Sequence, residues 1–134
     1  MAKTEILIVE DENIVAKDIK IHLEKLGYII TDIVSSGEKC INKIEERRPD
    51  LVMMDIMIKG RINGIEAANI IKERFNIPVI FLTAYADDDT IKKAKLAEPY
   101  GYIIKPFKER ELQTTIEMAL YKHQQDNLIK KENA

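Results

Sequence analysis

The chain has 134 residues, a length that suits one domain and leaves no room for two ordinary ones. Hydrophobic residues make up 46% of it and charged residues 33%, which is typical of a globular protein and excludes a disordered or fibrous one. With 21 basic and 23 acidic residues, the net charge of −2 gives no general electrostatic reason to bind nucleic acid or an anionic membrane.

Five short apolar runs rich in β-branched residues recur along the chain, and each has the length of a strand. They lie at residues 6–9, 28–34, 51–54, 79–82 and 102–104. The first, third and fourth runs are continuously apolar, which is typical of parallel strands buried on both faces of a sheet. We therefore expect a central sheet covered by helices on both sides.

The stretches between these runs have the helical spacing of apolar residues. In the first stretch, Val15, Ile19, Leu23 and Leu26 fall on one stripe, and Gly27 follows as a stop signal. Further helices are predicted at residues 36–47, 64–75 and 87–96, and from residue 108 onward. A strand and a helix repeated five times predict an α/β protein of the form (βα)5, with a doubly wound, parallel, five-stranded sheet.

Polar residues directly follow four of the predicted strands. Glu10 and Asp11 come after the first strand, Asp55 after the third, Thr83 after the fourth and Lys105 after the fifth. In such sheets the binding crevice lies at the carboxyl ends of the strands, so these side chains are expected at one edge. Three carboxylates there would repel one another unless a cation shares them. Oxygen ligands with room for water suit Mg²⁺, with Mn²⁺ as an alternative.

Together these residue types fit phosphoryl transfer. Asp55 lies in the middle of the crevice, and an aspartate can act as a nucleophile that forms a covalent phosphoryl intermediate. A cation and the Lys105 ammonium would neutralise phosphoryl oxygens, and the Thr83 hydroxyl would donate a hydrogen bond to one of them. Taken alone, the acidic residues after the first strand would be interpreted as helix caps. Their coincidence with Asp55, Thr83 and Lys105 favours a site.

Four motifs at the strand ends resemble the receiver domain of two-component response regulators. They are the acidic pair in ILIVEDEN, the aspartate in LVMMDIMI, the Thr-Ala pair in VIFLTAYA and the lysine-proline of GYIIKPF. Each motif is weak by itself, but four in this order and at this spacing are specific. The resemblance covers residues 3–122 and implies the flavodoxin-like strand order 2-1-3-4-5.

The resemblance implies a role for each residue of the acidic cluster. Asp55 would accept a phosphoryl group from a sensor histidine kinase or a phosphotransfer protein, in a reaction that depends on Mg²⁺. Asp11 would bind the cation directly, and Glu10 would act mostly through water. The backbone carbonyl of Met57 would complete the protein ligands together with Asp55.

The same resemblance implies a conformational switch. Thr83 would move toward the phosphoryl group, Lys105 would pair with it, and Tyr102 would rotate inward behind Thr83. Phosphorylation would thereby bias an equilibrium between two conformations. The Lys105-Pro106 bond lies where the family usually has a cis peptide bond, and X-Pro is the common setting for one.

The sequence departs from the commoner family pattern beside the site. Glu10 stands where an aspartate is commoner, and Lys59 stands where proline is often found. The stretch from Asp55 to Gly64 is also longer than usual. We therefore expect an unusual shape for the loop next to the phosphoacceptor.

The output is expected to run through protein contacts. We predict a receiver domain at residues 1–122 and a helical extension or linker at residues 123–134, interpreted as a frayed helix end or a linker to a fused domain. The fourth helix, fifth strand and fifth helix would bind an output partner or form a homodimer. The single cysteine, the lack of a secretory signal and the lack of a membrane-spanning run predict a cytoplasmic location, without direct contact to nucleic acid or membrane.

Two other functions stand as alternatives. An aspartyl-phosphate hydrolase of the haloacid dehalogenase kind also places a nucleophilic aspartate after a parallel strand, but it needs an acidic residue two places on, where this chain has Met57. A receiver that acts as a phosphorylation-independent scaffold is the second, and Glu10 and the altered loop are the features that favour it. We expect a signalling domain whose own chemistry is limited to self-phosphorylation from small donors and self-dephosphorylation, and not an enzyme.

Overall fold

The computed structural model describes residues 3–132. In that range five strands alternate with five helices, in the order that the sequence predicts. The elements are β1 (Glu5–Val9), α1 (Asn13–Lys25), β2 (Ile29–Val34), α2 (Gly37–Glu46), β3 (Leu51–Met54), α3 (Gly64–Phe75), β4 (Val79–Thr83), α4 (Asp88–Leu96), β5 (Gly101–Ile104) and α5 (Glu109–Glu132).

The five strands form one parallel sheet in the order β2-β1-β3-β4-β5. This confirms the predicted α/β class and the strand order that the resemblance implied. The pairing of β1 with β2 shifts between Ile6 and Leu7, while the pairing of β1 with β3 is regular, with Ile6 opposite Leu51 and Val9 opposite Met54. The regular central strands therefore hold their carboxyl ends level at one edge.

The core has two parts, one on each face of the sheet. Alternate residues of the central strands point to opposite faces, so one face presents Leu7, Val9, Val52, Met54 and Phe81 to the cluster that includes residues of α2, α3 and α4. The other face presents Ile6, Ile8, Leu51, Met53, Ile80 and Leu82 to the cluster that includes residues of α1 and α5. Burial on both faces explains why β1, β3 and β4 are continuously apolar.

Side-chain caps define where the helices on the site edge begin. Asn63 forms a capping box with Glu66 at the start of α3, which fixes the last residue of the preceding loop. Asp87 caps α4 by accepting a hydrogen bond from the Thr90 backbone N–H at 3.1 Å. Asp87 thus serves as a helix cap in the Asp-rich run before α4.

α5 continues without a break past residue 122 to Glu132. Three of its later residues contact the body of the domain. The Tyr100 hydroxyl donates to Asp126 Oδ2 at 2.6 Å, Asn76 Nδ2 donates to Asn127 Oδ1 at 2.8 Å, and His123 Nε2 lies 2.8 Å from the Asn76 carbonyl oxygen. The ends of the two predicted ranges, residues 1–2 and 133–134, lie outside the described residues. None of the helices in the described range is long and apolar enough to cross a membrane.

Candidate functional site

Parallel pairing brings four of the predicted site residues to the carboxyl edge of the sheet. Backbone hydrogen bonds extend the strand ladder to them: the Asp55 N–H donates to the Val9 carbonyl at 3.0 Å, and the Lys105 N–H donates to the Thr83 carbonyl at 2.9 Å. Glu10, Asp55 and Thr83 are all buried there. Their positions therefore follow from the sheet itself and not from a mobile loop.

Lys105 joins the two buried carboxylates. Its ammonium donates to Glu10 Oε1 at 2.5 Å and to Asp55 Oδ2 at 3.1 Å, and its own side chain is 20% exposed. A buried carboxylate is costly unless it is paired and hydrogen-bonded, so the ammonium stabilises both acids at once. The three side chains form an ion-paired centre at the middle of the sheet edge, which we call the Glu10–Lys105–Asp55 triad.

The protonation of the triad is set by burial and by mutual charge. Burial raises the pKa of Glu10, and the hydrogen bond from Lys105 offsets this only in part, while the nearby Asp55 charge raises it further. Burial alone would lower the pKa of Lys105, but the hydrogen bond to Glu10 and the charge of Asp55 outweigh it and raise the pKa. The pair of carboxylates thus carries more negative charge than one ammonium balances.

The predicted cation ligands are placed unequally. Glu10 and Asp55 meet at the triad, whereas Asp11 lies half-buried between the end of β1 and Glu12, the N-cap of α1. The Met57 backbone N–H points at Asp55, with the nitrogen 3.4 Å from Oδ1. Among the side chains that the structure describes, those of residues 3–130, no group of three or more His, Cys, Asp or Glu is already arranged to hold a metal ion. The oxygen atoms of Glu10 and Asp55 and their excess negative charge nevertheless suit a hard divalent cation.

The two predicted switch residues converge on Tyr85. The Thr83 hydroxyl is fully buried and accepts a hydrogen bond from the Tyr85 backbone N–H at 3.3 Å. The Tyr102 hydroxyl donates to the Tyr85 carbonyl oxygen at 2.6 Å, and its ring packs edge-on against Phe81 at 6.0 Å between centroids. Burial, followed by the charges of Asp87 and Asp55, raises the pKa of Tyr102. The segment after β4 is thus held from both the Thr83 and the Tyr102 side.

A tight contact closes the loop between β3 and α3 onto the phosphoacceptor candidate. The Gly64 N–H donates to the Ile56 carbonyl at 2.7 Å, and a Cβ at Gly64 would lie 2.1 Å from the Asp55 carbonyl oxygen. Only glycine lets α3 begin so close to the backbone of Asp55. The Lys105-Pro106 bond on the other side of the site is cis, as the resemblance implied.

One residue of this region was missed by the sequence analysis. Glu38, in the first turn of α2, accepts hydrogen bonds from the backbone N–H groups of Arg61 and Ile62, in the loop that also contains Lys59. Its partners are main-chain amides more than twenty residues away along the chain. Because every residue type except proline has such an amide, no sequence signal identifies Glu38.

Comparisons with known proteins agree with this geometry. The family model described as the response regulator receiver domain matches residues 6–117. The transcriptional regulatory protein PdtaR of Mycobacterium tuberculosis is 34% identical over 115 residues, which are 86% of this chain and 56% of PdtaR. The phyllosphere-induced regulator PhyR of Methylorubrum extorquens is 33% identical over 119 residues, which are 88% of this chain and 44% of PhyR. The chain spans about half the length of these relatives.

Solved structures give the same result. The signal receiver domain of a modulated diguanylate cyclase from Desulfovibrio desulfuricans G20 superposes with a TM-score of 0.88 at 35% identity, covering 93% of this chain and 99% of that one. A CheY-like response regulator receiver domain protein from Methanospirillum hungatei JF-1 superposes with a TM-score of 0.81 at 26% identity, with coverage of 93% and 99%. With the family model matching most of its length, the chain belongs to the response regulator receiver domains, a family of signalling domains.

Proposed function

We propose that this chain is a phosphorylation-dependent switch that accepts a phosphoryl group on Asp55 from a sensor histidine kinase or a phosphotransfer protein. The observation that carries this proposal is the Glu10–Lys105–Asp55 triad at the carboxyl edge of the sheet. Lys105 reaches an Asp55 oxygen while its charge is shared with Glu10. A lysine in this position can form an ion pair with the phosphoryl oxygens once Asp55 is phosphorylated.

The chemistry is a displacement at phosphorus. An Asp55 carboxylate oxygen forms the new P–O bond as the P–N bond of a donor phosphohistidine breaks, and the donor nitrogen keeps the electron pair. Lys105 neutralises the oxygens of the transferred group, and the Thr83 hydroxyl exchanges its contact with Tyr85 for one of those oxygens. These roles use the residues that lie around Asp55, and they require no other nucleophile.

A divalent cation, Mg²⁺ or alternatively Mn²⁺, completes this proposal. Asp11 and Asp55 would bind it through carboxylate oxygens, Glu10 mostly through water, and Met57 through its backbone carbonyl. The excess negative charge on Glu10 and Asp55 supports a cation here, because the raised pKa of Glu10 reflects burial and the charge of Asp55. The cation would supply charge neutralisation for the phosphoryl oxygens.

The switch would work through the contacts on Tyr85. When Thr83 turns toward the phosphoryl group, the Tyr85 N–H loses its acceptor, and Tyr102 leaves the Tyr85 carbonyl to rotate inward. The rearrangement would change the surface of α4, β5 and α5, which we propose binds an output partner or a second copy of the chain. We also propose that residues 1–122 form the receiver domain and residues 123–134 an extension or a linker to a fused domain.

Within this proposal the chain works in the cytoplasm as a signalling domain, makes no direct contact with nucleic acid or membrane, and is not an enzyme. Its own chemistry would be limited to self-phosphorylation from small donors and self-dephosphorylation. The relatives named above as regulators are consistent with such a role.

A phosphorylation-independent scaffold is the second candidate, and one observation favours it. The Lys105 ammonium already lies between Glu10 and Asp55, so the two carboxylates are partly neutralised by the protein itself. In a scaffold this triad would serve only to stabilise the fold.

Intact-mass spectrometry after incubation with Mg²⁺ and acetyl phosphate separates the two. The parent protein is expected to gain a phosphate adduct, and Asp55→Asn is expected to gain none. Asp88→Asn, at an acidic residue in the first turn of α4, is the matched control and should behave like the parent. EDTA added before the donor should abolish the adduct. A parent that gains no adduct and binds no Mg²⁺ would favour the scaffold instead.

A further inference from the structure

A carboxylate of α2 anchors the loop from Asp55 to Asn63, which we call the acceptor loop. Glu38 Oε1 accepts hydrogen bonds from the backbone N–H of Arg61 at 2.9 Å and from that of Ile62 at 3.1 Å. Two amides converging on one oxygen hold the chain direction of the loop as well as its position. The anchor thus lies in the stretch where the sequence departs from its family.

Gly60 lets the acceptor loop wrap around this carboxylate. Its φ of 106° lies in the left-handed region that favours glycine. A Cβ at this position would meet Glu38 Oε2 at 2.3 Å, so any other side chain would also displace the anchor. The position of the Glu38 carboxylate therefore requires a glycine at residue 60.

Two further contacts bind the same loop to the start of α2. Lys59 forms an isolated parallel β-bridge with Ser36, the residue whose hydroxyl caps α2 by accepting from the Lys39 N–H at 3.2 Å. Gly37 lies so close to the loop that a Cβ on it would be 2.8 Å from the Ile62 side chain. The first turn of α2 and the middle of the acceptor loop thus form one packed unit.

The electrostatics favour a charged acceptor at Glu38. Burial acts to raise the pKa of Glu38, but the backbone N–H groups of Ile62, Glu38 itself and Arg61 outweigh it and hold the pKa below its usual value. Hydrogen bonds to an ionised acceptor are stronger than bonds between neutral groups. A neutral amide at position 38 would keep an oxygen there but lose this advantage.

The acceptor loop connects this anchor to the phosphoacceptor. At its start, the Met57 N–H faces Asp55 Oδ1 at 3.4 Å, and at its far end Gly64 abuts the Asp55 carbonyl. Between these two ends, Glu38 holds the loop at Arg61, which is four residues after Met57. A loop fixed at both ends and in the middle has few ways to turn the Met57 backbone away from Asp55.

We propose that Glu38 is a positioning residue that sets the backbone of the acceptor loop at Met57 for cation binding beside Asp55. The inference rests on the proposed function, because Met57 supplies a cation ligand only in that reaction. Glu38 itself touches neither Asp55 nor the cation. Its effect passes through the amides of Arg61 and Ile62.

The test compares Glu38→Gln and Glu38→Ala with the parent and with Glu45→Gln. Glu45 is the matched control because it lies on the same helix and pairs with Arg74 at 3.4 Å on the surface. The dissociation constant for Mg²⁺ is measured by calorimetry, and the exchange of the Arg61 and Ile62 amides is measured by NMR without metal. Phosphorylation by acetyl phosphate is followed against Mg²⁺ concentration.

We expect Glu38→Ala to weaken Mg²⁺ binding on the order of tenfold, as for other residues that orient metal ligands, and Glu38→Gln to weaken it less. Amide exchange at Arg61 and Ile62 should accelerate in both variants. Phosphorylation should require more Mg²⁺ but approach the parent rate at saturation, a split that general destabilisation does not produce. Gly60→Ala should reproduce these effects from the other side of the contact, and Glu45→Gln should match the parent.

Two results would overturn the inference, and they differ from each other. If the parent is phosphorylated but Glu38→Ala keeps the parent dissociation constant for Mg²⁺ while its Arg61 and Ile62 amides exchange freely, Glu38 anchors the loop without positioning a ligand. If the parent binds no Mg²⁺ and gains no phosphate, the proposed function fails together with the positioning role. In that case the amide exchange still shows whether the anchor itself exists.

Discussion

Polar side chains are paired differently at the two edges of the sheet. At the carboxyl edge, Glu10 and Asp55 are buried acids that share one ammonium from Lys105. At the amino edge, next to the starts of β4 and β5, Tyr100 donates to Asp126 and Asn76 donates to Asn127. The first edge keeps unbalanced charge in the interior, whereas the second pairs each of these donors with one acceptor near the surface.

The comparison shows where this fold can support chemistry. A centre with two buried carboxylates and one cation has an affinity left over for a further positive ligand, and it gains from one. A set of one-to-one hydrogen bonds has no such affinity, and it serves to attach the end of α5 to the domain. Substitutions at the carboxyl edge should therefore affect both stability and function, and those at the amino edge stability alone.

The largest effect is expected from Lys105→Met, which leaves Glu10 and Asp55 without the ammonium group that pairs with both. Removing one partner of a buried ion pair costs about 3 kcal/mol or more, so the free energy of unfolding should fall by about that amount at neutral pH, as measured in urea. Phosphorylation from acetyl phosphate should fall as well. Lys93→Met, which removes a surface pair with Asp89, is the control and should change stability little.

The loss of stability in Lys105→Met should increase as the pH rises. Burial already raises the pKa of Glu10 above its ordinary value of 4.5, and loss of the ammonium would raise it further. A carboxyl with a raised pKa in the folded state is tolerated when protonated, and it costs stability as the pH rises through that pKa. The difference between parent and variant should therefore be larger at about pH 8 than at about pH 5. An equal difference at both values would mean that the triad is not coupled as the geometry indicates.

A second, smaller effect is expected from Gly64→Ala at the carboxyl edge. The new Cβ would lie 2.1 Å from the Asp55 carbonyl oxygen, so the start of α3 must move. Overpacking of this kind costs about 2 kcal/mol, and the movement should also slow phosphorylation because it displaces Asp55. The matched control is Gly27→Ala, at a glycine with positive φ and nothing within 4 Å of the added atom. Gly27→Ala should lose stability through its backbone alone and keep the parent rate of phosphorylation.

These two edges also differ in how far the sequence predicts them. The meeting of Glu10, Asp55, Thr83 and Lys105 follows from a rule: parallel strands place their carboxyl ends together, and each of these residues ends or directly follows a strand. The strand order was implied by the resemblance to receiver domains. Burial on both faces made β1, β3 and β4 visible as apolar runs. The α/β class and the strand order are accordingly confirmed, while the chemical roles of the site residues stay predictions.

The remaining contacts follow no such rule. Glu38 binds main-chain amides, so its partners cannot be identified by residue type. Tyr100 and Asp126 lie on different elements, and their meeting depends on how far α5 continues along the domain. The polar composition after residue 122 suggested either a frayed end or a linker, because propensity alone does not reveal that His123, Asp126 and Asn127 find partners across the sheet edge.

The smallest effect is expected from Tyr100→Phe at the amino edge. The variant loses the hydrogen bond to Asp126, and the thermal unfolding midpoint at neutral pH should fall by less than in Gly64→Ala. Phosphorylation by acetyl phosphate should equal that of the parent, since Tyr100 lies at the opposite end of β5 from Lys105. A clear loss of phosphorylation in Tyr100→Phe would break the separation of the two edges and would place the end of α5 within the switch.

Acid should remove the difference between Tyr100→Phe and the parent. The hydrogen bond from Tyr100 is the main cause that lowers the pKa of Asp126 below its ordinary 3.8. A carboxyl with a lowered pKa in the folded state contributes stability above its unfolded pKa and loses that contribution as the pH falls through the folded one. The two proteins should therefore differ in unfolding midpoint at neutral pH and converge below the ordinary pKa of Asp126. In Lys105→Met the difference from the parent also shrinks as the pH falls, but it does so above 4.5, the ordinary pKa of Glu10, whereas in Tyr100→Phe it does so below 3.8, the ordinary pKa of Asp126. The two pH windows therefore distinguish the two edges in one experiment.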